Sequence, residues 1–120
     1  MPRSAPVSVV ETPEFLATTR RLMDDEARAA LVDHLARHPT SGDLVPGTGG
    51  VRKLRWALAG RGKRGGARVI YYFHGADMPL FALTAYAKSA RADLSQADRN
   101  AFRRLTRLLV ESYESGTRRR

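Results

Sequence analysis

Between Asp43 and Asp77 the chain carries no carboxylate, yet Arg52, Lys53, Arg55, Arg61, Lys63, Arg64 and Arg68 place seven cations in that interval. The same interval alternates in polarity. From Val51 to Leu58, the residues Leu54, Trp56 and Leu58 share one parity and Lys53 and Arg55 the other, so a strand here turns one face to a core and presents charge on the opposite face. A second run, Ala67 to Phe73, is β-branched and aromatic with Arg68 near its start, as a half-buried pleated surface prefers. Gly60, Gly62, Gly65 and Gly66 between the runs permit turn conformations that a Cβ resists. A twisted, strongly basic hairpin is expected, and with it a polyanionic partner.

The rest of the chain supplies what such a hairpin needs to pack against. Val7 to Val10 reads as a short edge strand. Thr12-Pro13 opens a helix, because threonine caps free amides and proline suits the first helical position; Phe15, Leu16, Thr19 and Leu22 follow at helical spacing. Asp24-Asp25-Glu26 starts a second helix that Pro39 stops, and both helices are expected on one face of the sheet. Residues 40–50 read as a connecting loop and His74 to Asp77 as a turn. Met78 to Ala87, nearly continuous in apolar residues, reads as a central strand, with Tyr86 and Lys88 two apart at its end on a shared face. Asp93-Leu94-Ser95 with Asp98 resembles a helix cap, and Leu94, Ala101, Phe102, Leu105, Leu108 and Leu109 form the apolar stripe of a last helix that Gly116 is expected to end. The expected architecture is one α+β domain over residues 1–120, a twisted antiparallel β-sheet packed against N-terminal helices and a C-terminal helix. Residues 1–5 and 117–120 are expected to be disordered.

Composition narrows the chemistry. A net charge of +9 and a pI near 11.0, with the surplus concentrated in one segment, favour a nucleic acid or an acidic protein as partner. No cysteine is present, which removes disulfides and thiolate metal sites from consideration. No apolar run approaches the roughly 20 residues a bilayer requires and no signal-peptide core is evident, so a cytoplasmic protein without membrane association is expected.

Several familiar motifs fail on context. Gly60-Arg61-Gly62-Lys63-Arg64-Gly65 satisfies G-x-G-x-x-G, but a dinucleotide fingerprint must open a helix and here a strand follows. His34 and His38 have the spacing of a metal pair but lack a third ligand, so no metal and no cofactor is expected. None of the serines has a histidine and acid arranged for a hydrolase triad, and no carboxylate pair lies near the basic strands.

What remains is a possible convergence of Lys53 and Arg55 on one strand, Arg68 on its hairpin partner, and Tyr86 with Lys88 on the next. Such a cluster suits an RNA phosphodiester. Guanidinium groups bind phosphate bidentately, a tyrosine can stack on a base, and cations stabilise the charge that grows at phosphorus. A lysine crowded by guanidiniums has its charged form disfavoured, which would let it accept a proton without help from a histidine.

The segments GTGGVRKLRW, GGARVIYY and LTAYAKSARADLS, in this order and spacing, resemble the HigB-type branch of the RelE/ParE toxin superfamily over almost the whole chain. The resemblance implies a RelE-like α+β fold and a toxin of a type II toxin-antitoxin system, neutralised by a cognate helix-turn-helix antitoxin. It further implies a metal-independent endoribonuclease, an mRNA interferase that cleaves mRNA in the A site of the 70S ribosome and so blocks translation. The family's basic pair falls on Lys53 and Arg55, its next-strand arginine on Arg68, and its basic residue after the last strand on Lys88.

By the same resemblance, the ribose 2′-hydroxyl attacks the adjacent phosphorus, with Lys53 as base, Arg55 and Arg68 holding the phosphate and Lys88 assisting the leaving oxygen. Arg52, Arg61, Lys63, Arg64 and Tyr86 are expected to bind RNA, the hairpin-tip cations by docking to rRNA. The chain departs from the RelE pattern in lacking a counterpart of its C-terminal catalytic tyrosine, for which Tyr86 and Tyr113 are the candidate substitutes. Two other readings stay open: a ParE-like gyrase inhibitor of the same fold, and a non-catalytic RNA-binding module.

Overall fold

A computed structural model of the chain describes residues 5–59 and 66–118, with the side chains of the last helix described through Glu114. The elements follow the order β1 (Val9–Glu11), α1 (Pro13–Leu22), α2 (Asp25–Arg37), β2 (Asp43–Leu44), β3 (Val51–Trp56), β4 (Ala67–Tyr72), β5 (Leu80–Ala87) and α3 (Gln96–Arg118). The strands form one sheet in the order β1-β5-β4-β3-β2. Its β2–β3, β3–β4 and β4–β5 pairings are antiparallel, and β1 joins β5 in parallel. This is the expected α+β arrangement of one sheet packed against helices, with one parallel edge added.

Local chemistry accounts for the helix boundaries. Thr12 Oγ1 accepts the Phe15 N–H at 3.2 Å and donates to the Ala82 carbonyl at 2.9 Å, so the cap of α1 also ties that helix to β5. Asp24 caps α2 through the Ala27 N–H at 2.8 Å. At α3, Ser95 Oγ accepts the Asp98 N–H and Asp98 accepts the Ser95 N–H, both at 3.0 Å, a reciprocal capping box with aspartate in the usual glutamate position. Helix α3 runs on through Gly116, which does not end it as expected, because a glycine lowers helix propensity without forbidding helical backbone. Of the terminal residues expected to be disordered, Ala5 is described and residues 117 and 118 lie in α3, while residues 1–4, 119 and 120 fall outside the described residues.

Alternation then divides the packing into two layers. On one face Val69, Tyr71, Leu80, Ala82 and Ala85 pack against Phe15 of α1 and Leu31 and Leu35 of α2. On the other, Val51, Ile70, Tyr72, Phe81 and Leu83 pack against Phe102, Leu105, Leu109 and Val110 of α3. Helix α3 is pinned by the loop before β3. Buried Thr106 Oγ1 donates to the Thr48 carbonyl at 3.1 Å, and Gly49 has φ +77 in the left-handed region. A Cβ on Gly49 would lie 2.5 Å from Thr106 Oγ1, so glycine is required there for both backbone and contact.

The strands are slightly shorter than the alternation suggests: β3 ends at Trp56, although Leu58 beyond it is buried, and β5 begins at Leu80. The two-residue β2 lies inside what reads as loop. Asp43 and Leu44 pair with Lys53 and Arg52, but a strand this short and exposed leaves no alternation to detect.

Candidate functional site

The face that α3 packs on is not apolar throughout. Along β3, Val51, Lys53 and Arg55 share a parity, and the register sets them opposite Tyr72, Ile70 and Arg68 of β4. Arg68 in turn stands opposite Tyr86 of β5. The α3 layer covers the Val51, Tyr72 and Phe81 end of this face, while Arg55, Arg68 and Tyr86 lie abreast across three strands at the other end. Lys53 is two residues along from Arg55, about 7 Å at strand spacing. Lys88, one residue past β5, donates its N–H to the Gly66 carbonyl at 3.0 Å and so sits at the same end of the sheet, exposed.

The cations are graded by depth. Arg55 is exposed, Lys53 half-buried, and Arg68 only 9 % exposed, with one guanidinium nitrogen donating to the Ala67 carbonyl at 3.3 Å. Like charges directly opposite on neighbouring strands repel. Among the described residues neither Arg55 nor Arg68 has a carboxylate partner. Two arginines at paired positions, neither compensated by a carboxylate, can offer guanidinium donors to an anion.

The turn between β5 and α3 lies over this end of the face. Asp93 Oδ1 is 3.2 Å from Lys53 Nζ and Oδ2 is 3.4 Å from Arg99 of α3. Hydrogen bonding by the Leu94 N–H, and then by Lys53, holds the Asp93 carboxyl below its usual range. Arg91 pairs with Asp98 and sets its guanidinium 5.3 Å from the Tyr86 ring centre. Burial, followed by the Asp93 charge, pushes the Tyr86 phenol up, while Arg91 and Arg68 oppose the shift. Tyr86 is therefore a neutral phenol at physiological pH, and its buried hydroxyl has no hydrogen-bond partner among the described residues.

Lys53, Arg55, Arg68 and Tyr86 thus share one face, with Lys88 at the same sheet end. Arg52 does not join them. It has the opposite parity on β3, and its guanidinium donates to the carbonyls of Thr40 at 3.2 Å and Gly42 at 2.7 Å, which secures the 40–44 segment. Tyr86 is brought to the cluster but not displayed for stacking, since burial and Arg91 leave little ring for a base. Tyr113 packs edge-on against Phe81, 6.1 Å between ring centres, at the far end of the face. Arg61, Lys63 and Arg64 lie outside the described residues. His34 is turned to packing: its ring lies 5.5 Å from Trp56 and its Nε2 3.1 Å from Ser41 Oγ.

Asp93, Arg91 and Arg99 escape sequence reasoning. Asp93 reads there only as part of a helix cap, and its contact with Lys53 spans 40 positions. Among the described residues no three His, Asp or Glu side chains are grouped to hold a metal ion, and no helix is long and apolar enough to cross a membrane.

The family model for the RelE toxin of the RelE / RelB toxin-antitoxin system matches residues 11–118. That interval runs from Glu11, the last residue of β1, through α3 and includes every described residue of the cationic face. The chain belongs to the RelE toxin family, and it is a toxin whose family implies an antitoxin partner.

Proposed function

We propose that this toxin is a HigB-type, ribosome-dependent mRNA endoribonuclease that blocks translation, with its active site at the Arg55, Arg68 and Tyr86 end of the sheet. One observation carries the reading: the register aligns two uncompensated arginines and a buried phenol across three strands, with Lys53 on the same face. A ParE-like gyrase inhibitor would not need such a convergence. In the proposed reaction Arg55 and Arg68 grip the scissile phosphate and neutralise the charge that develops on it. The ribose 2′-oxygen attacks phosphorus in line, and its proton passes to the uncharged amine form of Lys53. The bond from phosphorus to the 5′-oxygen breaks, and Lys88 donates a proton to that oxygen. The products are a 2′,3′-cyclic phosphate and a free 5′-hydroxyl, so charge and protons balance without a metal. Lys53 can take this part only after separating from Asp93. The neutral Tyr86 phenol supports the site by donating a hydrogen bond instead of stacking on a base.

The proposed partners are mRNA in the ribosomal A site and a helix-turn-helix antitoxin, the latter carried by the resemblance of the three basic segments. Mapping transcript 5′ ends after induced expression tests the reading. Cuts within translated coding regions, absent for Arg55→Ala and Arg68→Ala proteins that unfold at the parental temperature, are the expected result. Growth arrest with DNA breaks and intact transcripts would instead favour gyrase inhibition.

A further inference from the structure

We propose that Arg99 is a further phosphate-binding residue of this site, and that Asp93 is an internal anion that holds the place of an RNA phosphate until RNA displaces it. The proposal deepens the ribonuclease reading and takes the identity of its ligand from it.

Asp93 offers one carboxylate oxygen to Lys53 of β3 and the other to Arg99 in the first turn of α3. An anion with two acceptor oxygens already reaches both cations from this position, and the non-bridging oxygens of a phosphodiester are acceptors of the same kind for Arg99. The order of depth matters. The side chains of Lys53 and Arg99 are 29 % and 26 % exposed, whereas Asp93 is 47 % exposed, so the carboxylate lies outermost, on the path of an anion from solvent.

Asp93 Oδ1 also accepts the Leu94 N–H at 2.8 Å, and its departure would free that donor beside the start of α3, where negative charge is favoured. A second, independent feature points to a ligand. Tyr86 is nine-tenths buried, its hydroxyl has no partner, and it lies within electrostatic reach of Asp93, Arg91 and Arg68. Exposed ion pairs are weak, so a polyanion already gripped by Arg55 and Arg68 can displace the carboxylate. Displacement would release Lys53 for proton transfer and hand Arg99 to the incoming phosphate.

Binding of a short 2′-O-methyl RNA to the full chain, followed by fluorescence anisotropy, separates affinity from turnover because this probe cannot be cleaved by 2′-oxygen attack. Asp93→Asn should tighten binding roughly three- to tenfold, since it removes the competitor yet keeps an oxygen for Leu94. Arg99→Gln should weaken binding several-fold and lower the salt slope by about one. In the Asp93→Asn background the Arg99→Gln loss should grow, because the arginine has by then exchanged carboxylate for phosphate. Glu111→Gln, the same charge change on an exposed flank of α3, controls for net charge and should move affinity less than about twofold.

The proposal is overturned if Asp93→Asn binds no tighter than Glu111→Gln, or if Arg99→Gln leaves affinity unchanged. Should Arg68→Ala weaken binding while Asp93→Asn and Arg99→Gln do nothing, this inference fails and the ribonuclease reading survives. If the Asp93 and Arg99 variants respond as expected but the parent cleaves no translated transcript, the anion site stands and the cleavage reading falls.

Discussion

The two faces of the sheet are built from the same strands and meet solvent on different terms. The face under α1 and α2 is closed at its centre: Phe15, Leu31, Leu35, Val69, Tyr71 and Leu80 have no exposed surface, and the hydroxyl among them is hydrogen-bonded. Tyr71 illustrates this, its hydroxyl accepting the Gly42 N–H at 2.8 Å, with burial as the first cause raising its phenol above the usual range. The face under α3 closes over about half its length and then changes character, from Val51, Ile70 and Tyr72 to Lys53, Arg55 and Arg68. Arg52 and Arg55 make the contrast within a single strand. The first donates to two backbone carbonyls and acts as structural mortar, and the second has no carboxylate partner among the described residues. A cation's role here follows from the face it projects from, and its residue type alone does not predict it.

That division of labour can be broken most forcefully from the closed face. Phe15→Ala should destabilise the protein by about 3–5 kcal/mol in chemical denaturation, because a fully buried aromatic leaves a cavity that the α1 contact cannot refill. Cleavage per folded molecule should not change. If it fell in step with stability, the two faces would not be separable. Arg55→Ala should do the converse, lowering the cleavage rate roughly 100- to 1000-fold, as loss of a transition-state charge partner does, with the thermal midpoint nearly parental.

Arg52→Ala sharpens the comparison at close range. Removing its two carbonyl contacts should cost about 1–2 kcal/mol of stability. Cleavage should stay within about threefold of the parent, and a loss as large as that of Arg55→Ala would put both arginines in one site. The smallest expected effect is on acid stability. Hydrogen bonding from the Ser95 backbone first, and from its side chain and Arg91 after that, holds Asp98 below the ordinary carboxylate range. A lowered folded value means stability that is present above the ordinary carboxylate value and is lost as pH falls through the folded one. Thermal midpoints measured from pH 6 down to pH 2 should therefore decline less for Asp98→Asn than for the parent, the variant already lacking that contribution at neutral pH.

Much of this was legible from residue order. Thr12-Pro13, Asp24 and Ser95 mark helix starts because a cap is a contact within four residues, and the structure starts α1, α2 and α3 at those signals. The shared face of Lys53 and Arg55 was legible too, since parity along a strand is a two-residue property. That Arg52 projects from the other face was overlooked because counting cations ignored that same parity. Strand β2 was invisible because two residues carry no period, and the parallel placement of β1 depends on where β5 ends up, not on anything in Val9–Glu11. The burial of Tyr86 was not legible either, because it depends on the turn that folds over the ring.

Local pattern, then, determined the helices, the basic hairpin and which side chains of each strand travel together, because capping and pleating act over a few residues. Tertiary packing alone decided that Arg55, Arg68 and Tyr86 stand abreast, and that Asp93 meets Lys53 from 40 positions away. Strand register and the docking of α3 are set by summed burial over the whole sheet, and a sum of that kind has no signature in any short stretch of chain.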